Sequence, residues 1–224
     1  QAVDWAKNNN IPHVIIASEE LDIPEFSANP TDRCYYCKKE LFAKVKEQAD
    51  TSGLNCVADG SNADDVGDYR PGMNAACELG VLSPLKEASL TKEDIRTIAK
   101  EVYHLPMADK PSMAWLASRF PYGSAITDDK LNQIEKIEQF LQREGFRIYR
   151  ARHHGEILRL ELGKEEMLAV MNSDLRKRIT MFVKELGFIY VTLDLEGYRT
   201  GSMNEGLLIK NPDRQFDGLP LILD

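Results

Sequence analysis

Two short apolar runs bracket a long amphipathic one, and that arrangement limits the fold more than any other feature of the chain. Pro12-His13-Val14-Ile15-Ile16-Ala17 is β-branched and apolar on both faces, the mark of a strand buried in a parallel sheet rather than of a half-exposed antiparallel one. From Arg33 onward, Tyr36, Leu41, Val45 and Ala49 fall near one face of a helix with lysines elsewhere, and Thr51-Ser52-Gly53 ends it. Asn55-Cys56-Val57-Ala58 is too short for a helix and suits a second buried strand. Strand, helix and strand make a βαβ unit, right-handed by default, which brings both strand ends to the same edge. The expected fold class is α/β, a doubly wound and mostly parallel sheet, joined to a second, smaller α+β domain.

The stretch that follows the second strand is rich in potential ligand groups. Residues 59–72 read Asp-Gly-Ser-Asn-Ala-Asp-Asp-Val-Gly-Asp-Tyr-Arg-Pro-Gly. In open α/β sheets the carboxyl edge is where ligands bind. Gly60, Gly67 and Gly72 permit backbone geometry closed to other residues, while Asp59, Asn62, Asp64, Asp65 and Asp68 offer acceptors for amines, ribose hydroxyls or hydrated magnesium. Gly, Asn and Asp also dominate ordinary solvated turns, so from the residues alone both readings stand.

At 224 residues the chain can form one large domain or two modest ones. Lys and Arg number 28 and Asp and Glu 36, a net charge of −8, and an acidic surface argues against bulk nucleic-acid binding. No apolar run approaches the roughly 20 residues of a membrane span and nothing at the start resembles a signal peptide, so a cytoplasmic protein is expected. The chain opens at Gln1 without an initiator methionine, in what reads as a helix over residues 2–8, which suggests truncation. Four cysteines do not resemble a secreted disulfide scaffold. Cys34 and Cys37 fall at the start of the helix, where unpaired amides and the helix dipole favour a thiolate. A metal or redox pair and two small buried hydrophobes are both open, since zinc and iron–sulfur sites usually need three or four ligands.

Thr91, with an acid three residues on at Asp94, begins a helix whose core face would be Ile95, Ile98, Ala99 and Val102. Residues 110–123 carry prolines at both ends with Ser118-Arg119 between, and read as an interdomain loop lining a cleft. The second domain is placed at 124–224, after a nucleotide-binding domain at 1–123. In it Thr127 caps a helix with Leu131, Ile134, Ile137 and Leu141 as its buried stripe, and Gly145 stops it. Residues 146–153 and 156–162 alternate as a hairpin around His154-Gly155, with Tyr149, Ala151, Leu158 and Leu160 on one face and Arg150, Arg152 and Arg159 on the other. Guanidiniums at two-residue spacing, about 7 Å apart, can clamp a phosphate or carboxylate; a solvated face neutralised by Glu161 is the alternative. His153 and His154 read as turn residues rather than metal ligands. Leu175, Ile179, Phe182 and Leu186 mark a further helix ending at Gly187, residues 188–193 a strand, and Arg199 lies in a closing loop. There is no internal repeat, and the tail from Asn204 has no clear period.

Taken together, Asn29-Pro30-Thr31-Asp32-Arg33-Cys34-Tyr35-Tyr36-Cys37-Lys38-Lys39, Asp59-Gly60-Ser61-Asn62, Asp68-Tyr69-Arg70-Pro71-Gly72, Ser118-Arg119-Phe120-Pro121-Tyr122-Gly123 and Arg150-Ala151-Arg152-His153-His154-Gly155 resemble the LarE family, in order, to about Met203. That family belongs to the PP-loop ATP pyrophosphatases. The resemblance implies an adenine nucleotide alpha hydrolase-like domain, ATP and Mg2+ as cofactors, and ATP-dependent adenylation of a pyridinium mononucleotide carboxylate followed by sulfur transfer, in synthesis of a nickel-pincer nucleotide. It implies a small phosphorylated carboxylate as partner and a homo-oligomer, with no membrane or nucleic acid. By the same resemblance Asp59, Gly60, Asn62, Asp64 and Asp65 lie by the nucleotide, residues 68–72 shape the cleft, and Ser118, Arg119, Arg150 and Arg152 hold the substrate phosphate. Cys34 and Cys37 would handle sulfur or hold an iron–sulfur cluster or zinc. Two departures matter. The superfamily's glycine-rich phosphate loop would precede Gln1, so this stretch alone should be inactive. The family's cysteine in the segment matching Ala114-Trp115 is absent, which excludes sacrificial chemistry there. The alternatives are a PP-loop ligase or amidotransferase that adenylates another small substrate, and a nucleotide- or metal-binding module without turnover.

Overall fold

A computed structural model describes residues 2–67, 71–109, 115–199 and 201–205. The expectations for Asp68, Tyr69 and Arg70, for residues 110–114 and for the tail from residue 206 lie outside the described residues. The first half is helical: α1 (Ala2–Asn8), α2 (Pro24–Ser27), α3 (Arg33–Thr51), α4 (Gly72–Glu78), α5 (Pro84–Glu87) and α6 (Lys92–Thr97), which runs into a π-helical turn at Ile98–Val102. The second half holds α7 (Asp128–Arg143), β1 (Tyr149–His154), β2 (Ile157–Leu162), α8 (Ser173–Glu185) and β3 (Tyr190–Leu193). Helices and a mixed three-stranded sheet place the chain in the α/β class.

Local chemistry explains the second half. Thr127 Oγ1 accepts from Lys130 N at 3.4 Å, and Asn172 Oδ1 accepts from the Asp174 and Leu175 amides at 3.0 and 3.1 Å, so both long helices start on a side-chain cap. Gly145 (φ +95°) and Gly187 (φ +100°) end them in the left-handed region that glycine reaches without steric cost. β1 and β2 pair antiparallel, and β2 and β3 pair parallel across the α8 crossover. The turn is Gly155-Glu156, one residue beyond the expected His154-Gly155. Arg152 now faces Arg159, and because the register moves by two residues, an even number, every side chain keeps its predicted face. Ile134, Ile137 and Leu141 of α7, Ala151, Leu158, Leu160 and Leu162 of the hairpin, and Ile179 and Val183 of α8 form the core, which also draws in Phe26, Ala117 and Phe120 from before residue 124.

The first half departs from expectation. Residues 12–17 form no ladder among the described residues, and Val14 and Ile15 are 58% and 76% exposed, not buried. An interior strand needs a neighbour on each edge to take its N–H and C=O groups, and the segment is instead held by a side chain, Lys44 Nζ donating to the Ala17 carbonyl at 2.9 Å. Residues 55–58 contribute one parallel bridge, Ala58 to Leu82, with Cys56 exposed. The Thr91–Asp94 capping box forms as expected, but Ile95 and Ile98 are only half-buried and Val102 is 64% exposed, so α6 has no fully buried face.

Candidate anion and nucleotide site

β1 alternates, and its two faces have opposite chemistry. Tyr149, Ala151 and His153 turn to the core, where the His153 ring lies 5.2 Å from Phe120 and 5.1 Å from Phe188, and burial lowers its pKa. Arg150, Arg152 and His154 share the other face with Arg159 and Glu161 of β2. That face is not solvated: Arg152 is 5% and Glu161 0% exposed. Residues 194–199 and 201–205 lie across it as a strap. Tyr198 stacks on Arg150 with the guanidinium carbon 4.9 Å from the ring centre, and Ser202 Oγ accepts from Arg152 NH2 and donates to Glu161 Oε1, both at 2.9 Å.

Glu161 organises the face. Its Oε2 accepts from Arg152 NH2 and its Oε1 from Arg159 NH2, each at 2.9 Å. Asp194 lies 3.6 Å from Arg159 and 3.2 Å from Arg199, which holds it in the ionised form: burial would raise its pKa, but the Glu196 amide and Arg199 lower it further. Ser118 ties the face to the loop before α7. Its carbonyl accepts from Arg152 NH1 at 2.8 Å and its hydroxyl from Arg119 NH1 at 2.9 Å. Arg119 is fully buried in a bidentate pair with Glu138 of α7, at 2.7 and 3.0 Å. Burial, and then the charges of Arg119 and Arg152, lower the pKa of Arg150. The structure thus brings Ser118, Arg119, Arg150 and Arg152 into one assembly.

Residues 59–65 are knotted by their own side chains. Asp59 Oδ1 accepts from the Ser61 amide at 3.1 Å and Ser83 Oγ at 2.8 Å, and Oδ2 from Ser61 Oγ at 2.7 Å. Burial would raise the Asp59 pKa, but these bonds and the charge of Lys38 lower it on balance. Asn62 Oδ1 accepts from Asp64 N, Asp65 Oδ2 from Asn62 N, and Asp64 Oδ2 from Lys92 N, which caps α6. Gly60 has nothing within 4 Å of where a Cβ would stand, so its backbone is approachable. The oxygens of Asp59, Asn62 and Asp64 are of the acceptor type that a ribose hydroxyl or a hydrated magnesium ion would use, but among the described residues no group of three or more His, Cys, Asp or Glu side chains is placed to hold a metal ion directly.

Cys34 is exposed and Cys37 half-buried. The expected thiolate does not hold for Cys37: burial, then the Glu20 carboxylate to which it hydrogen bonds, push its pKa far above the ordinary thiol range. Among the described residues no group of three or more His, Cys, Asp or Glu side chains is placed to hold a metal ion, so the pair does not by itself fit a three-thiolate cluster.

Sequence reasoning missed Glu138, Tyr198, Ser202 and Asn29. Glu138 left a trace, since it falls inside the stripe of Ile134, Ile137 and Leu141, where a charge needs a buried partner. Asn29, fully buried with φ 56°, donates through Nδ2 to the Pro121 and Ser124 carbonyls at 2.7 and 3.0 Å, and its Oδ1 accepts from Arg33. The loop it holds, residues 120–124, lies more than 90 residues away in sequence.

No family model matches the chain. An uncharacterized protein of Synechocystis sp. is 40% identical over 197 residues, 88% of this chain and 73% of that protein. The pyridinium-3,5-bisthiocarboxylic acid mononucleotide synthase of Lactiplantibacillus plantarum is 38% identical over 181 residues, 80% of this chain. The chain spans 64% of that synthase, less than two thirds of its length. An uncharacterized protein of Methanocaldococcus jannaschii is 29% identical over 201 residues, 88% of this chain and 77% of that protein.

Proposed function

This chain belongs to the LarE family, and from that membership we propose that it activates a pyridinium mononucleotide carboxylate with ATP and converts it to a thiocarboxylate. The name of the Lactiplantibacillus relative states a product with two thiocarboxylates, at positions 3 and 5. The substrate is then a phosphorylated pyridinium 3,5-dicarboxylate in which sulfur replaces one oxygen of each carboxylate.

The observation that carries this reading is the assembly of Arg150 and Arg152, buried on one face of the hairpin, with Ser118 of the preceding loop, whose carbonyl accepts from Arg152. Buried guanidiniums held by neighbours are preorganised for an anionic tail and lose little freedom on binding it. Residues 59–65 would sit by the nucleotide, at the carboxyl edge of a doubly wound, mostly parallel sheet, for which the Ala58–Leu82 bridge is support. In the reaction a carboxylate oxygen attacks the α-phosphorus of ATP and pyrophosphate leaves. A hydrosulfide-level sulfur then adds to the acyl carbonyl and gives up its proton, and AMP leaves with the electron pair of the broken C–O bond, so that a thiocarboxylate remains. Cationic side chains offset the charge that builds on the phosphates. Cys34, exposed at the start of α3, is the sulfur-handling residue we favour.

The test is pyrophosphate release with ATP, Mg2+ and the pyridinium 3,5-dicarboxylate mononucleotide. Release should depend on the dicarboxylate, and Arg152→Ala should lower kcat/KM by about 100-fold or more. Release that is absent with every carboxylate tried, or that is unchanged in Arg152→Ala, would refute the assignment.

A further inference from the structure

Three buried nitrogens on the arginine face have no hydrogen-bond partner among the described residues: Arg152 Nε, Arg159 Nε and His154 Nε2. They come from adjacent positions on one sheet face, since Arg152 and Arg159 are cross-strand partners and His154 lies two residues along β1. An unpaired buried donor costs roughly 1–3 kcal/mol, and native proteins seldom leave several together without a ligand to take them. We propose that His154 and Arg159, with the Nε edge of Arg152, form an oxyanion subsite that receives the phosphate or a carboxylate of the substrate.

Most of the remaining donors of Arg152 are already committed. NH1 is given to the Ser118 carbonyl, and NH2 is shared between Glu161 and Ser202. The Nε–H and the second N–H of NH1 remain to meet an anion; Nε is the Arg152 nitrogen with no partner at all among the described residues, and the other two unpartnered nitrogens on this face belong to His154 and Arg159. Arg159 is held in the same way: NH2 goes to Glu161 Oε1, and its Nε stands 3.6 Å from Asp194 Oδ2, too far for a hydrogen bond. Glu161 therefore fixes both guanidiniums through their NH2 groups and leaves both Nε–H groups directed elsewhere. A water molecule can accept only two hydrogen bonds, whereas a phosphate or carboxylate accepts several, so three donors side by side match an oxyanion better. Burial, and then the charges of Arg159 and Arg152, lower the pKa of His154, so its imidazole would meet an anion as a neutral N–H donor beside the two guanidiniums.

The inference rests on Arg152 belonging to the substrate site, and its test separates the two. Calorimetric titration of the folded protein uses two probes, inorganic phosphate and pyridine-3,5-dicarboxylate, each alone; the one that binds identifies the group received. His154→Gln and Arg159→Gln should each weaken that binding by roughly tenfold, the worth of one hydrogen bond to a charged group. Arg159→Lys, which keeps the charge but lacks the Nε–H, should resemble Arg159→Gln, and it serves as the test if the Gln variant fails to melt cooperatively. Wild-type affinity in both His154→Gln and Arg159→Lys, or no binding of either probe by the wild type, would overturn the subsite. Should substrate-dependent pyrophosphate release persist unchanged in those variants, the subsite falls while the proposed function stands; absence of release in the wild type removes the function itself.

Discussion

Glu20 and Cys37 show burial overruling position in sequence. The start of a helix should favour a thiolate, yet Cys37 packs beside the core and hydrogen bonds to Glu20, which is itself 6% exposed with one oxygen unpartnered among the described residues. Burial first, then repulsion from Glu40, raise the Glu20 pKa above 4.5, against the opposing influence of Cys37 and Arg33. A carboxyl with a raised folded pKa holds its proton longer in the native state than in the unfolded one, so stability falls as pH rises from about 4.5 through the folded value. Glu20→Gln removes this loss and keeps an acceptor for the thiol. We expect it to match wild type near pH 4 and to exceed it by on the order of 1 kcal/mol at pH 7.5 in urea denaturation; a variant less stable than wild type at pH 7.5 would contradict the account. None of this was legible in the sequence, because nothing local links Glu20 to Cys37. The arginine face was half legible: alternation gave Arg150, Arg152 and Arg159 their common side, but whether acids and a strap or only water covered it depends on residues 194–205, which have no period to read.

At the scale of elements, what could be read divides by the range of the interactions involved. α3, α7, α8 and the hairpin follow from periodicity, caps and turn glycines, all within one element or its neighbour. The parallel strands expected at 12–17 and 55–58 depend on partners distant in the chain, and apolar content alone does not supply them. The strap belongs to the second kind and owes its course to Gly197, at φ +72°, where a Cβ would stand 2.7 Å from the Leu162 carbonyl oxygen and 3.0 Å from Met167 Sδ. The next residue, Tyr198, donates its amide to that same carbonyl at 2.8 Å. Gly197→Ala meets both the left-handed backbone and a backbone clash, so it should cost about 2–4 kcal/mol in chemical denaturation. It should also loosen Tyr198 and Ser202 from Arg150 and Arg152. An unchanged midpoint would mean that the strap tolerates a different path and does not hold the arginines in place.

Across the whole molecule, one buried amide joins the helical half to the arginine face. Asn29 ties the loop after α2 to residues 120–124: its side chain donates to the Pro121 and Ser124 carbonyls, its own carbonyl accepts from Gly123 N at 2.7 Å, and its Oδ1 accepts from Arg33 at the start of α3. Arg33 lies 5.3 Å from the centre of the Tyr122 ring, and Tyr122 Oη donates to Asn204 of the strap at 3.0 Å. Further along α3, Lys38 acts on Asp59 and meets Gly72, whose missing side chain lets α4 approach to 2.7 Å from the Lys38 Cγ as measured to an ideal Cβ. Among the described residues the acidic loop and the guanidiniums are thus connected through α3 and Asn29. Asn29→Ala removes at once the side-chain partner of the Phe120, Pro121 and Ser124 carbonyls and of the Arg33 guanidinium, so its cost should be about 2–4 kcal/mol. The consequence should also be directional. Arg119, fully buried in the native protein and next to this loop, should become open to trypsin in Asn29→Ala well below the denaturant concentration that unfolds the α7–β1–β2 core. If cleavage after Arg119 instead tracks global unfolding in both proteins, the two halves are held together by their shared apolar core around Phe26 and Phe120, and the Asn29 amide is not the joint.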